Sequence, residues 1–509
     1  MRAPACGSLH ILSSRLLPPP SLSPISSRTS AQKHHIRRLI STSSMFSFSA
    51  SSSGYEAPGS FHTPSTSSLF GQDDAESDPP VVWESNVASQ RLQLQTNSVA
   101  DASNRSLFAL NLQKWTYLNH GAFGAPTKVA IEAAARWRAQ ADAQPLNFND
   151  RELFPLVVRA IKAFAGFVGV SKPETLVLLP NASAGLHSVL ASLLRGEKEK
   201  TVVLFSTRYG AVRKMLQAIE GGSGVYVHEE PLALEESYDD QKVIERLQKA
   251  LDAVQATGRQ VTLVVVDHIT SNTAVTMPVK EIVQRCHTRG NGIPVLVDGA
   301  HGLLNVSLNL DDIGADYYVG NCHKWFCSPR GAAFLHVARD NGPAIDPRVV
   351  SHGFFDGMQS AFMWTGLQDY SAWLALPQCL AFWRRQGVTA TREYMHSLAQ
   401  EAAELLYSRW EMPAHLARER QVPMHKRHAM RLVQLPTSTR LCGGVEVDGN
   451  NPKASATDAK RVQDSLHYIH NIEVPVKSID GRLYVRLSAH VYNCLEDFEK
   501  LAIAALEQR

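Results

Sequence analysis

Two places in this sequence combine residue types and setting in a way that suits covalent chemistry on an amine. The apolar run Pro294-Val295-Leu296-Val297 ends in Asp298-Gly299-Ala300-His301. Just past the run Tyr317-Tyr318-Val319, the chain reads Gly320-Asn321-Cys322-His323-Lys324-Trp325, which places Lys324 twenty-six residues after Asp298. A lysine held against a strand end beside an aromatic residue is desolvated, which lowers its pKa and frees the amine to form an imine. A carboxylate at the neighbouring strand end can contact the ring nitrogen of a pyridine cofactor and keep the ring an electron sink. Taken singly, Asp298 is as easily a helix N-cap, and most lysines are solvated. The spacing of the two strand ends is what joins them.

Two further features could serve the same site. The segment Leu176–Leu179 ends in Pro180-Asn181-Ala182-Ser183-Ala184-Gly185 and runs into a helical pattern over Leu186–Leu194. Small and hydroxylated residues opening a helix offer free backbone N–H groups to a phosphate, although an ordinary capped helix start looks the same. Arg486 lies in an alternating stretch, with Leu483, Val485 and Leu487 on one face and Tyr484, Arg486 and Ser488 on the other. Its guanidinium fork suits a carboxylate, and a surface cross-strand arginine is the alternative. A metal site from Asp298, His301 and His323 lacks a further positioned ligand.

These residues need a scaffold that brings strand ends together. Short apolar runs at Thr201–Phe205, Leu263–Val266, Val295–Val297 and Tyr317–Val319 alternate with amphipathic stretches. The clearest of these places Val243, Leu247, Leu251 and Val254 at helical spacing. Such alternation predicts an α/β fold, a mainly parallel sheet covered on both faces, with ligands outside the carboxyl ends of its strands. After about Tyr370, long helical segments, the strand Arg482–Ser488 and a terminal helix predict a smaller C-terminal α+β domain.

The remaining composition narrows the class. With 509 residues, 44 % hydrophobic and 19 % charged, the chain can build a large core. A net charge of +3 gives no reason to expect nucleic acid as a partner, and no run of about eighteen apolar residues predicts a membrane span. The seven cysteines are scattered without a CxxC pair, which argues against a disulfide framework or a cysteine zinc site. Residues 1–50 carry Arg2, Arg15, Arg28, Lys33, Arg37 and Arg38, many serines and no acidic residue; the first carboxylate is Glu56. That composition predicts a transit peptide, read here as mitochondrial, with a plastid as the alternative and a cytoplasmic form if translation starts at Met45. Residues 51–112, rich in Ser, Gly and Pro, predict a disordered linker with packed structure from about Trp115. The domain expectation is then 113–370 for the large part and 371–509 for the small one.

Taken together, the motifs resemble a known family. Leu118-Asn119-His120-Gly121-Ala122-Phe123-Gly124, Asn181-Ala182-Ser183, Tyr209-Gly210-Ala211-Val212 and Asp267-His268-Ile269-Thr270-Ser271 occur in order. Asp298-Gly299-Ala300-His301, His323-Lys324-Trp325 and Val485-Arg486-Leu487-Ser488 follow. From about Leu118 to Asn493 the chain resembles the class V aminotransferase branch of fold-type I enzymes that use pyridoxal 5′-phosphate (PLP). It is most similar there to plant-type L-cysteine desulfhydrases, hercynylcysteine sulfoxide lyases and isopenicillin N epimerase-like proteins. The resemblance implies a seven-stranded large domain and a homodimer with the active site at the subunit interface. It implies that Lys324 holds PLP and moves the Cα proton, Asp298 pairs with the pyridine nitrogen and His301 contacts the ring hydroxyl. Ala182, Ser183, Asn321 and His323 would surround the phosphate and Tyr209 would stack on the ring. Asn119, His120 and Arg486 would meet an amino-acid substrate, the first two at its entrance. One departure stands out: relatives carry Gly-Thr-x-Asp where this chain has Gly366-Leu367-Gln368-Asp369, so the threonine that reaches the neighbouring subunit's phosphate is missing.

Once the Cα proton is gone, the pocket decides between elimination, racemisation and transamination. A persulfide-forming desulfurase needs a cysteine on a loop after the lysine, and 336–364 contains none. The resemblance points to β-elimination from L-cysteine or a cysteine S-conjugate. Epimerisation is the alternative, and a non-catalytic PLP-fold interaction protein is the reading from another class.

Overall fold

Every strand that ends in a candidate site residue belongs to one sheet. The structure, a computed structural model, describes residues 102–507 except 197–198, 291, 339–343, 414–421 and 437–453, together with 69–71, 91, 92 and 94. The expected leader and its processing neighbourhood lie outside the described residues. The large sheet contains β1 (Leu176–Leu179), β2 (Lys200–Phe205), β3 (Val225–Glu230), β4 (Leu263–Asp267), β5 (Val295–Asp298), β6 (Tyr317–Asn321) and β7 (Ala333–Val337). Its spatial order is β1-β7-β6-β5-β4-β2-β3. Neighbours pair in parallel except at β7, which runs antiparallel to both β1 and β6.

The all-apolar runs form these central strands because both faces of the sheet are covered, so no polar alternation is tolerated. Strands β4 and β5 are buried at every position. One cover is α3 (Asp240–Ala256), whose N-cap Asp239 accepts from Gln241 N and Lys242 N and whose Val243, Leu247, Leu251 and Val254 are buried as the spacing predicts. Its predecessors are α1 (Ala182–Leu194), following β1, and α2 (Gly210–Ser223), following β2. Two strands escape the sequence reading. Strand β3 lies at the sheet edge with its middle positions partly exposed, and β7 places His336 among apolar neighbours. Neither shows a clean apolar run.

The register sets the site. Asp267 at the end of β4 pairs with Asp298 at the end of β5, and Asp298 pairs with Val319 of β6. Three carboxyl ends therefore come level on one rim.

Beyond the sheet, β8 (Met430–Gln434), β9 (Val476–Ile479) and β10 (Arg482–Ser488) form an antiparallel sheet of order β9-β10-β8. The N-terminal segment is sewn to it: Thr116–Tyr117 pairs in parallel with Ile472–Glu473, and Ser488 N donates to Leu118 O at 2.9 Å. That stitch leads Asn119–Gly124 past Lys324.

Packed structure begins upstream of the expected start at Trp115. A helix spans Ala102–Ser106, Leu107 and Phe108 are buried, and the Phe108 ring stands edge-on to Tyr492 at 4.9 Å. Arg105 pairs with Asp497 at 2.7 Å. Composition counts only what a segment can bury by itself. Here the surface is supplied by residues almost 400 positions away, which local sequence cannot reveal.

Candidate active site

A cavity of about 200 Å³ opens on the rim where β4, β5 and β6 end. Eight of the predicted residues line it: Ala182, Ser183, Tyr209, Asp298, His301, Asn321, His323 and Lys324. Lys324 Nζ lies 3.3 Å from His301 Nε2. Burial lowers the Lys324 pKa to about 8, with Asp298 pulling upward and Arg486 adding to the depression. Burial also drives His301 well below the ordinary histidine range, with Lys324 assisting, so its ring is neutral. The indole Nε1–H of Trp325 donates to His301 Nδ1 at 3.3 Å.

Asp298 is buried, and its Oδ1 accepts from Ala300 N at 3.1 Å. Burial raises its pKa while Lys324 opposes. Beside it sits a carboxylate to which the sequence reading gave no role, Asp267. It lines the cavity, is buried, and its Oδ2 has no hydrogen-bond partner. Burial pushes its pKa well up and repulsion from Asp298 adds to that, so the adjacent pair resists carrying two charges. The signal for Asp267 was in the sequence: it follows the apolar run Leu263–Val266 just as Asp298 follows its own.

The start of α1 is built from side-chain caps. Asn181 Oδ1 accepts from Ala184 N at 2.9 Å, and Asn321 Oδ1 accepts from Ala182 N at 2.9 Å. Ala182 and Asn321 thus satisfy each other in part. Ser183 and Asn321 line the cavity at this helix N-terminus, where a hydroxyl, a side-chain amide and free backbone N–H groups suit an anion. His323 adds a ring whose Nδ1 is buried without a partner, and burial lowers its pKa to about 4. Tyr209 precedes α2, lines the cavity and keeps a partly exposed ring.

Arg486 sits at the edge of this group. Its Nη1 donates to Ser271 O, itself in the cavity wall, and its Nη2 donates to Asn119 Oδ1 at 3.4 Å. Arg486 is 4 % exposed, and its Nε has no partner. Among the described residues no carboxylate lies within ion-pair distance of it. A buried cation in that state is costly unless a ligand supplies the counter-charge.

His120 requires a correction. It is not at a substrate entrance but fully buried behind the lysine. Its Nε2 meets Lys324 O at 3.1 Å and its Nδ1 meets Tyr492 OH at 2.9 Å. Burial lowers its pKa to about 3. The Ser488–Leu118 stitch explains the difference, because it turns His120 inward and leaves Phe123 exposed in the cavity wall instead. His120, Cys327 and His490 bring three potential metal ligands within 4.8 Å. The two imidazoles, however, are stacked at 3.9 Å and 17°. Their lone pairs then run alongside each other rather than converging on an ion, so the trio reads as packed core.

Gly124 locks this segment onto the lysine turn. Its φ of 64° and ψ of −178° lie in a region only glycine occupies readily, and an added Cβ would sit 1.8 Å from His323 O. Gly124→Ala is therefore expected to cost about 3 kcal/mol of stability. Urea unfolding should show a lower midpoint at unchanged slope, and an unchanged midpoint would contradict this packing.

The residues fit PLP. The rim provides a desolvated amine, buried carboxylates with an orphaned oxygen, a neutral imidazole beside the amine and a helix N-terminus with hydroxyl and amide donors.

Comparison with known proteins agrees with this geometry. The family profile described as aminotransferase class-V matches residues 151–425. A protein of Oryza sativa subsp. japonica named putative L-cysteine desulfhydrase 1 is 33 % identical over 75 % of this chain and 81 % of its own. An Arabidopsis thaliana protein named probable L-cysteine desulfhydrase, chloroplastic, is 29 % identical over 80 % and 85 %. The isopenicillin N epimerase of Amycolatopsis lactamdurans is 28 % identical over 77 % and 94 %. Among solved structures, the complex of the cystine C–S lyase C-DES with cysteine persulfide superposes with a TM-score of 0.60. It is 20 % identical, over 78 % of this chain and 98 % of that one. The Arabidopsis relative also corrects the mitochondrial reading of the leader, since the compartment in its name is the chloroplast. An arginine- and serine-rich, acid-free leader has a composition common to both destinations, so the residues could not separate them. The large mixed sheet with its smaller C-terminal α+β part is the architecture of fold-type I PLP enzymes, and the chain belongs to the class-V aminotransferase family.

Proposed function

We propose that this protein is a PLP-dependent carbon–sulfur β-lyase. Its substrate would be L-cysteine or a cysteine S-conjugate, and its products sulfide or a thiol, pyruvate and ammonia. The observation that carries the reading is the depressed-pKa amine of Lys324 in one small cavity with Asp298 and His301, next to a buried arginine that has no carboxylate partner among the described residues. In this reading Lys324 holds the cofactor, Asp298 its ring nitrogen and His301 its ring hydroxyl. Ser183, Asn321 and His323 hold its phosphate, and Tyr209 covers its face. Bound there, PLP would supply an electron sink for the charge left when a bond to Cα breaks.

The protein's own residues do the rest. Arg486, braced by Ser271 and Asn119, fixes the substrate carboxylate and so orients Cα. The neutral amine of Lys324 accepts the Cα proton. The Cβ–S bond then breaks with its electron pair on sulfur, which takes up a proton, and the released aminoacrylate hydrolyses to pyruvate and ammonia. Phe123 and Ile269 give the cavity apolar wall suited to a small thiol side chain. The desulfhydrase names of the plant relatives support this substrate class.

The test is to supply L-cysteine to the PLP-loaded protein and measure sulfide and pyruvate together. Equal release of both is the expected result. Solvent deuterium entering Cα without either product from any cysteine derivative would replace the lyase reading with epimerisation. That second reading is favoured by the epimerase relative and uses the same proton abstraction. We further propose a homodimer, supported by the exposed apolar side chains of Phe123, Val349, Val350, Phe355 and Leu367. Leu367 cannot donate a hydrogen bond, so any cross-subunit phosphate contact there would have to come from backbone or from Thr365.

A further inference from the structure

The residue beside the lysine has a job of its own. Trp325 is fully buried, and its indole N–H is directed at His301 Nδ1, 3.3 Å away. A nitrogen that accepts a hydrogen bond carries no proton, so the neutral His301 ring must hold its proton on Nε2. That nitrogen is the one 3.3 Å from Lys324 Nζ. An N–H pointed at an amine is welcome only if the amine is unprotonated and can accept; an ammonium would set donor against donor. The geometry points to Trp325 as a positioning residue that fixes the tautomer of His301 and thereby favours the neutral, reactive amine of Lys324.

The indole is held still for this purpose. The ring of His120 lies 5.2 Å from it, and that of His490 lies 6.3 Å away at 24°. His490 Nε2 also meets Trp325 O at 3.4 Å, and the Gly121 backbone lies against the indole edge, where a Cβ would come within 3.3 Å of Cζ2. The buried histidine pair behind the lysine thus acts as a rigid backing for the indole. The other charged groups acting on Lys324 are Asp298, Asp267 and Arg486, and those acting on His301 are Arg486 and His428. None of them donates to His301 Nδ1 among the described contacts, so the indole alone selects the tautomer.

The inference rests on the site assignment made above for Lys324 and His301, but not on which reaction follows. Its test compares the full-length wild-type chain with W325F and with a chain carrying β-(3-benzothienyl)alanine at position 325. That analogue keeps the shape of the indole and lacks its N–H, so it remains informative if W325F does not fold. The first readout is the ring-nitrogen NMR pattern of His301 in the cofactor-free chain, assigned by its disappearance in H301Q. The second is the pH midpoint for capture of added PLP by Lys324, followed by absorbance. Wild type should show a single Nε2–H tautomer. Both variants should lose that pattern, and their capture midpoint should move to higher pH by on the order of one unit. A merely structural role would lower the melting temperature and leave tautomer and midpoint alone; that outcome overturns the proposal. If no chain captures PLP, the cofactor reading fails, while the His301 pattern still decides the role of Trp325.

Discussion

Replacing Lys324 by alanine should abolish cofactor capture and lower turnover about 10⁴-fold, the upper end of what a positioned acid–base group contributes. The reason is that, in the proposed reading, one amine does two jobs, holding the cofactor and accepting the Cα proton. Its environment makes it competent for both. With a pKa of about 8, about one tenth of the amine is neutral at pH 7, against roughly three in ten thousand for a lysine at its ordinary value of 10.5. Burial therefore raises the reactive fraction by roughly 300-fold. The sign follows directly: the folded pKa is depressed, so the reactive form increases as pH rises toward and through about 8. Capture of PLP by the wild-type chain should accelerate over that range and level off above it. Absorbance before and after PLP addition, with pyruvate measured in the same sample, checks both parts. A Lys324→Ala chain that still forms product at near wild-type rate would remove the lysine from the mechanism.

Arg486→Gln should lower kcat/KM for L-cysteine by about 10²–10³-fold, the range for removing one partner of a buried, hydrogen-bonded charge pair. Burial lowers the Arg486 pKa to about 10, so the guanidinium still carries its charge at neutral pH. Among the described residues no carboxylate lies within ion-pair distance, and that charge meets Ser271 O and Asn119 Oδ1. A specific control follows. Cysteamine has the amine and thiol of cysteine without the carboxylate, so any turnover of it should be nearly unchanged by the substitution. An equal loss for both compounds would mean that Arg486 shapes the cavity rather than clamping the substrate. The variant should fold, because glutamine removes a buried cation that has no ion-pair partner among the described residues.

How much of this was legible beforehand depended on whether a residue's role is set by its neighbours in sequence or by its neighbours in space. The strand ends at Asp298 and Lys324 could be read because apolar runs of that length become buried parallel strands, and ligands gather where such strands stop. The face of α3 could be read from its spacing alone. Asp267 obeyed the same rule as Asp298, and only its pairing in register with Asp298 shows that two carboxylates share the rim. Strand β3 was illegible because its edge position allows mixed polarity, and β7 because a buried histidine interrupts its apolar pattern.

The sequence by itself thus determined five strands of the sheet and the apolar face of α3, and it singled out Lys324 as the candidate amine, since each follows from local periodicity and from what a strand end exposes. The tertiary structure decided what could not be local. The stitch between Leu118 and Ser488 turned His120 away from the entrance and into the core behind Lys324. Contacts with Tyr492 and Asp497 gave the segment around Phe108 a place to pack. Arg486 was left buried with no carboxylate partner among the described residues, and the indole of Trp325 was directed at one nitrogen of His301. Each of these depends on a partner distant in sequence or on the orientation of a ring, and neither distance nor orientation is encoded in the spacing of residues along the chain.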